Sequence, residues 1–382
     1  MYTAVNMVFV FVCALAAISL LLLLLVLAAS YSKGTYHASR PYDQVHFIFT
    51  RDDFRLALSR YTAKDVPRGL PVVLCHGLGA NAASMDLGPE RSLAQYLSQA
   101  GRDTWMLELR GCGLSRATGD WRKKTWSFDE FVRNDVPAAL EKVINVSSSP
   151  AIHFVGHSMG GMIIYAYLQA FQDKRIQSIV AIASPSAITH VDRFKPLFRL
   201  LANRSRPIRQ IGLARTAALF AGRLPLPFTR VLVNPKNISP KAMRIALCNL
   251  PANIAGGVAA QFAWWSQKGS ITSASSDLLY SFDETGMAKI TVPALLLAGT
   301  ADLLAPVQSV ERAFNMLGSK DKQMLIPGVN TSESEGFGHG DILIGDSARY
   351  EVFPGILKWL DSHDDLEDSH HTPGRSAPQD GQ

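Results

Sequence analysis

Where a wholly apolar run gives way to a helical one, a serine stands between glycines. Residues 151–155 read as a buried strand, Gly156-His157-Ser158-Met159-Gly160-Gly161 follows, and residues 162–171 read as a helix. Passing from strand to helix through a single serine requires a sharp, strained turn. Glycines are expected at 156 and 160 because a Cβ at either would collide with the neighbouring strand or helix. Such a turn leaves the Ser158 hydroxyl exposed, as a nucleophile needs.

Strand and helix patterns alternate around this turn. Residues 45–50 and 54–62 read as a strand pair around Arg51-Asp52-Asp53; 70–75, 103–109 and 176–182 are further strand runs, and 90–99 and 128–144 are helical. The alternation breaks over 186–285, which is helical, irregular and rich in Arg, Pro and apolar residues, then resumes with strands at 294–297 and 323–326 and helices at 307–316 and 351–360. Strands separated by helices indicate a mostly parallel sheet with helices on both faces. The predicted organisation is a core in two parts, 45–185 and 286–363, with a helical cap at 186–285. A linker at 31–44 precedes it, and a disordered tail at 364–382 follows.

The first 30 residues are of another kind. From 5 to 29 only Asn6 and Ser19 are markedly polar, and roughly 20 apolar residues suffice to cross a bilayer. A secretory signal would carry a positive n-region and a shorter apolar stretch, whereas no Lys or Arg precedes Lys33. Residues 1–30 are therefore expected to be an uncleaved single-pass anchor. Lys33, Arg40, Arg51 and Arg55 after the span favour a cytosolic catalytic domain. Against that stand four N-x-S sequons, at Asn145, Asn203, Asn237 and Asn330, which matter only in a luminal domain. Cys13, Cys75, Cys112 and Cys248 have no metal-site or disulfide spacing.

The net charge of +6 is small for 382 residues, but it is concentrated. Arg193, Lys195, Arg199, Arg204, Arg206, Arg209, Arg215, Arg223 and Arg230 crowd the cap. Without a nucleic-acid-binding motif or interleaved aromatics, nucleic acid is not an expected partner. A solvated helical face is one explanation, and attraction to anionic lipid headgroups is another.

A serine hydroxyl near neutral pH needs a base within reach and a group that orients the base. Ala294-Leu295-Leu296-Leu297-Ala298-Gly299-Thr300-Ala301-Asp302 is a strand ending in a turn with a carboxylate. Gly336-Phe337-Gly338-His339-Gly340-Asp341 follows the last strand, and its glycines permit a tight loop that can lower an imidazole toward the serine. Ser158, Asp302 and His339 then follow the order nucleophile, acid, base. Asp341 is the alternative acid, although two residues from His339 it is better placed to cap the next segment. The developing oxyanion needs preorganised N–H donors. The Met159 amide is one candidate, and the Leu78 amide in His76-Gly77-Leu78-Gly79-Ala80-Asn81 is the other.

Residues 70–360 together resemble the α/β-hydrolase superfamily, and more closely its lipase and esterase-like members. His76-Gly77, Leu109-Arg110-Gly111-Cys112-Gly113-Leu114-Ser115, the GHSMGG turn and Gly299-Thr300-Ala301-Asp302 carry the resemblance. It implies an α/β-hydrolase fold with a lid or cap, and hydrolysis of a carboxylic ester without cofactor or metal. The implied partner is a small-molecule ester or lipid substrate; a membrane, through residues 5–29, is expected from the apolar run itself. Leu224, Phe228, Phe262, Trp264 and Trp265 are candidates to line an acyl pocket. Amide or thioester cleavage and acyl transfer would use the same three residues, and a non-catalytic binding protein of this fold would be expected to have lost one.

Overall fold

In a computed structural model, described for residues 2–65, 67–117, 125–188, 207–224, 228–328 and 336–364, the apolar runs pair into one sheet. Its strands are β1 (Gln44–Phe49), β2 (Phe54–Tyr61), β3 (Val72–Cys75), β4 (Thr104–Glu108), β5 (Arg116–Ala117), β6 (Ile152–His157), β7 (Ile176–Ile182), β8 (Ala294–Leu297) and β9 (Lys322–Leu325). The order across the sheet is β1-β2-β4-β3-β6-β7-β8-β9, with β5 paired to β2. Pairs involving β2 are antiparallel, and the others are parallel. Parallel strands are buried on both faces, which is why they read as continuous apolar runs. Ala294, Leu295, Leu296 and Leu297 of β8 are all fully buried, and each leucine is worth about 1.5–3 kcal/mol relative to exposure.

This strand order places the site. β3 lies between β4 and β6, so the chain leaves β3 and β6 toward opposite sides, and a crevice opens at their carboxyl ends. Cys75 pairs with Gly156. The loop after β3 and the turn after β6 therefore start level with each other.

Two expectations changed in detail. The single amphipathic helix over 128–144 is interrupted: a π-helical turn, Phe131–Asp135, separates a short N-terminal turn from the helix Val136–Ser147. Pro137 has no N–H to give the Arg133 carbonyl, which accounts for the break. The N-terminal helix runs from Tyr2 to Thr35, beyond the end of the apolar stretch.

Asp364, the first residue of the expected tail, is bonded to the sheet. Its carboxylate accepts from the Leu70 amide at 2.9 Å, from both terminal nitrogens of Arg102 at 2.7 Å, and from His153 Nε2 at 3.2 Å. Residues 365–382 lie outside the described residues. Partial burial raises the Asp364 pKa, but these donors outweigh it and hold the carboxyl down at about 2. A depressed carboxyl stabilises the fold above its unfolded pKa, near 4, and that contribution is lost as pH falls through about 2. Asp364→Asn is thus expected to melt below the unmutated protein at pH 6, with the gap narrowing below about pH 4. A pH-independent gap in thermal melts would contradict this origin.

Candidate active site

Ser158 occupies the turn between β6 and the helix Met159–Phe171 with φ +54° and ψ −120°. A non-glycine residue at positive φ costs of order 1–3 kcal/mol and persists only where its surroundings impose it. Here the Ser158 N–H is fixed to the Ile182 carbonyl at 2.8 Å. The expected glycines are required. A Cβ on Gly156 would strike the backbone of Gly160 and Gly161, and one on Gly160 would strike the Cys75 carbonyl.

Three distant segments converge on this hydroxyl. His339 Nε2 lies 2.8 Å from Ser158 Oγ, and His339 Nδ1 lies 2.8 Å from Asp302 Oδ2. Asp302 Oδ1 accepts from the amides of Leu304 and Ala305 at 2.7 and 2.8 Å. Burial pushes the Asp302 carboxyl up, but the His339 ring and these two amides outweigh it and hold the group below the usual carboxylate range. It is therefore ionised at neutral pH. The Ala301 N–H donates to the Phe337 carbonyl at 2.9 Å, laying the histidine loop along the acid turn.

Asp341 does not reach the His339 ring. Its Oδ1 accepts from the Asn234 amide at 2.8 Å, and its Oδ2 from the Gly338 amide at 2.9 Å and Asn237 Nδ2 at 3.0 Å. Asn234 and Asn237 each donate a side-chain N–H to the Gly336 carbonyl, at 2.9 and 2.6 Å. Asp341 is thus a clamp that bolts the segment after β7 to the histidine loop. The Asn237 amide, part of a sequon, is occupied in that clamp; Asn145 is exposed, and Asn203 and Asn330 lie outside the described residues.

Two supporting histidines were not assigned roles from sequence. His157, wholly buried, donates from Nε2 to the His339 carbonyl at 2.8 Å. Burial, then the neighbouring His339, depresses its pKa to about 3, so it stays neutral. Its adjacency to Ser158 was the available signal, but sequence does not show which way a ring points. His76 Nδ1 donates to the Gly77 carbonyl at 2.9 Å while its Nε2 accepts from the Leu109 amide at 3.2 Å, partners that assign the tautomer. Burial lowers its pKa to about 4. The Gly77 carbonyl and the Leu78 N–H share one peptide plane. His76 therefore orients the Leu78 amide. Gly77 packs against Ser158, and among the described residues neither the Leu78 nor the Met159 amide is bonded to a protein acceptor.

Above these groups lies a cavity of about 760 Å³, lined by Ser158, His157, His339, the Gly77-to-Ala80 loop and apolar side chains. Its far walls come from the helices Ile211–Ala218 and Pro240–Asn249, through Leu213, Ala214, Ala217, Met243, Ala246 and Leu247. Of the five expected lining residues, Phe228 and Phe262 contribute, and Leu224, Trp264 and Trp265 do not. Trp265 is turned into the core, 5.0 Å from the Phe128 ring, with Nε1 donating to the Thr272 carbonyl at 2.8 Å. Leu224 is exposed to solvent, and Trp264 lies partly exposed beneath Lys268.

The Arg110 side chain of the glycine-rich turn is buried between Asp135 and Asp52, at 2.8 and 2.6 Å, and so serves the fold. Cys75, Cys112 and Cys248 are buried free thiols. Arg209, Arg223 and Arg230 are exposed, whereas residues 189–206 and their five basic side chains lie outside the described residues.

Comparison with known proteins agrees with this fold. The family model of the alpha/beta hydrolase fold matches residues 71–339. Lipase 1 of Drosophila melanogaster is 25% identical over 349 residues, covering 83% of this chain and 76% of that protein. Gastric triacylglycerol lipase of Rattus norvegicus is 24% identical, covering 83% of this chain and 88% of that protein. Among solved structures, a monoacylglycerol lipase of Paleococcus ferrophilus aligns with a TM-score of 0.53 at 19% identity, over 81% of this chain and 99% of that one. A bacterial membrane phospholipase A aligns with a TM-score of 0.51 at 20% identity, over 94% of this chain and 98% of that one. The chain belongs to the α/β-hydrolase fold family and is an ester hydrolase of the lipase and esterase type.

Proposed function

We propose that the chain is a membrane-anchored serine hydrolase that cleaves a lipophilic carboxylic ester through Ser158, His339 and Asp302. Ser158 Oγ attacks the ester carbonyl carbon while His339 Nε2 takes its proton. Negative charge on the carbonyl oxygen is received by the Leu78 and Met159 amides, and Asp302 stabilises the imidazolium. His339 then gives its proton to the leaving alkoxide, and an acyl group remains on Ser158. A water molecule, deprotonated by the same nitrogen, releases the carboxylic acid and restores the serine. The observation that carries this reading is the pair of 2.8 Å contacts from His339 to Ser158 and Asp302 at the floor of an apolar cavity.

The lipophilic substrate is supported by the cavity lining and by the lipase relatives, one of which is named for triacylglycerols. Anchoring is supported by the N-terminal helix, whose stretch from Ala17 to Thr35 is long and apolar enough to cross a bilayer. We place the catalytic domain on the cytosolic side, following the Lys and Arg residues after the span.

Fluorophosphonate is expected to label the unmutated protein and not Ser158→Ala. Across acyl esters of rising chain length, kcat/KM is expected to rise by about fourfold per added CH₂, or about 15-fold per CH₂ pair, from about 0.8 kcal/mol per buried CH₂. Absence of labelling would overturn the enzyme mechanism, and a preference for acetyl esters would overturn the lipophilic substrate.

A further inference from the structure

The N-terminal helix does not stand apart from the hydrolase. It packs along the helix Ile211–Ala218 and reaches the helix Pro240–Asn249. Thr216 Oγ1 shares its proton between the Gly212 carbonyl of its own helix at 3.1 Å and the Leu25 carbonyl at 3.3 Å, while the Cys248 thiol donates to the Ser32 carbonyl at 3.4 Å and Asn249 Nδ2 to the Tyr36 carbonyl at 2.7 Å. Asn249 Oδ1 accepts from the Ala38 amide at 3.1 Å. Ser32, on a helix otherwise exposed along most of its described length, is wholly buried there.

These contacts fix a depth. Leu25 lies four residues before Ala29, where the apolar stretch ends. At 1.5 Å per residue, Thr216 meets the helix about 6 Å inside that end. Interfacial helices bury their apolar face about 5–10 Å into the boundary between headgroups and acyl chains. The same cap helix forms a wall of the cavity through Ala214, Ala217 and Leu213, and Leu213 is also 75% exposed. One helix therefore touches the anchor, the cavity and the exterior.

The surrounding surface has the composition of a lipid-facing one. Phe220, Leu224, Phe228 and Leu232 are exposed, interleaved with the exposed Arg223 and Arg230. No Asp or Glu occurs between Asp192 and Asp277. Anionic lipid headgroups favour such a surface, and a run without acidic residues leaves nothing to repel them.

We propose that the N-terminal helix is a structural member of the cap, and that its docking holds the cavity mouth at Leu213 within the leaflet. Resting on the membrane-anchored reading above, the inference adds where substrate enters. An acyl ester passes from the bilayer that holds the anchor, beside the helix Ile211–Ala218, into the cavity without crossing water. The anchor thus sets substrate access as well as location.

The test uses the full chain in vesicles of phosphatidylcholine and phosphatidylserine. With Cys13→Ser as background and the other three cysteines buried, a nitroxide is attached through Leu213→Cys. Collisions with oxygen are expected to exceed those with a water-soluble nickel chelate. The reverse, in protein that stays with the vesicles in alkaline carbonate, overturns the proposal while leaving the anchor intact. Release by carbonate overturns the anchor and the proposal with it. Asn249→Ala removes two side-chain bonds to the stem of the anchor. It is expected to lower the rate on a long-chain ester in the same vesicles about tenfold relative to a water-soluble short-chain ester. An unchanged ratio of the two rates overturns the proposal.

Discussion

Ser158→Ala is expected to lower kcat by about 10⁴-fold or more while leaving the fold in place. The activity loss follows from removing the atom that would form the acyl bond, with His339 Nε2 left 2.8 Å from an empty position instead of an oxygen. The fold is spared for reasons local to the turn. Its positive φ is imposed by the Gly156 and Gly160 packing and by the bond from the Ser158 amide to Ile182, none of which uses the hydroxyl. Alanine bears the same backbone strain as serine, so the melting temperature should move by no more than a few degrees. His339→Ala should cost about as much, and the double variant little more, because the proposed nucleophile and base would act as one unit. Purified variants assayed on a short-chain ester decide this. A Ser158→Ala protein keeping more than about 1% of the rate would show that another nucleophile does the chemistry.

The core was legible because its physics is local. Buried parallel strands must be apolar on both faces, so β3, β6, β7 and β8 stand out as runs, and the acid and base could be sought just beyond strand ends. That logic singles out His339 and Asp302 as candidates with no contact information, and the structure brings both to Ser158. Gly156 and Gly160 were also readable, since a missing Cβ is a direct statement about how closely two backbones approach.

What stayed hidden depends on partners far along the chain. Nothing around Asn249 indicates that its amide would tie down Tyr36 and Ala38, or around Asp364 that it would neutralise Arg102 beneath the sheet. Asp341 looked like a local cap because Asn234 and Asn237, its real partners, are about a hundred residues away. Trp265 was a plausible pocket residue by composition. Helical phase in an irregular, apolar segment is weakly marked, and the ring turned to Phe128 instead. The two-residue β5 carries no periodicity at all.

Asp302→Asn is expected to reduce kcat by about 10³–10⁴-fold with only a modest loss of stability, the activity loss coming from a single misplaced proton. The Asp302 side chain faces two kinds of donor. Oδ1 receives the Leu304 and Ala305 amides, and Oδ2 receives His339 Nδ1–H. An asparagine has one oxygen, and the two backbone amides will hold it, so the NH₂ group is turned toward His339. Nδ1 must then accept, which moves the ring proton to Nε2. A protonated Nε2 cannot take the Ser158 proton, so the base is disabled without disturbing its position. Stability at neutral pH should fall only by the lost pairing of carboxylate with imidazole, because the bonds to Leu304 and Ala305 survive. The ionised Asp302 stabilises the fold only above its unfolded pKa, near 4, and that contribution fades as pH falls through its lower folded value. The acid limb of the melting curve should therefore be shallower in Asp302→Asn than in the unmutated protein. Asp302→Ala gives the contrast: it leaves the Leu304 and Ala305 amides without an acceptor, and should lose both activity and about 1–3 kcal/mol of stability. Equal activity of Asp302→Asn and the unmutated protein would assign the orienting role to another group.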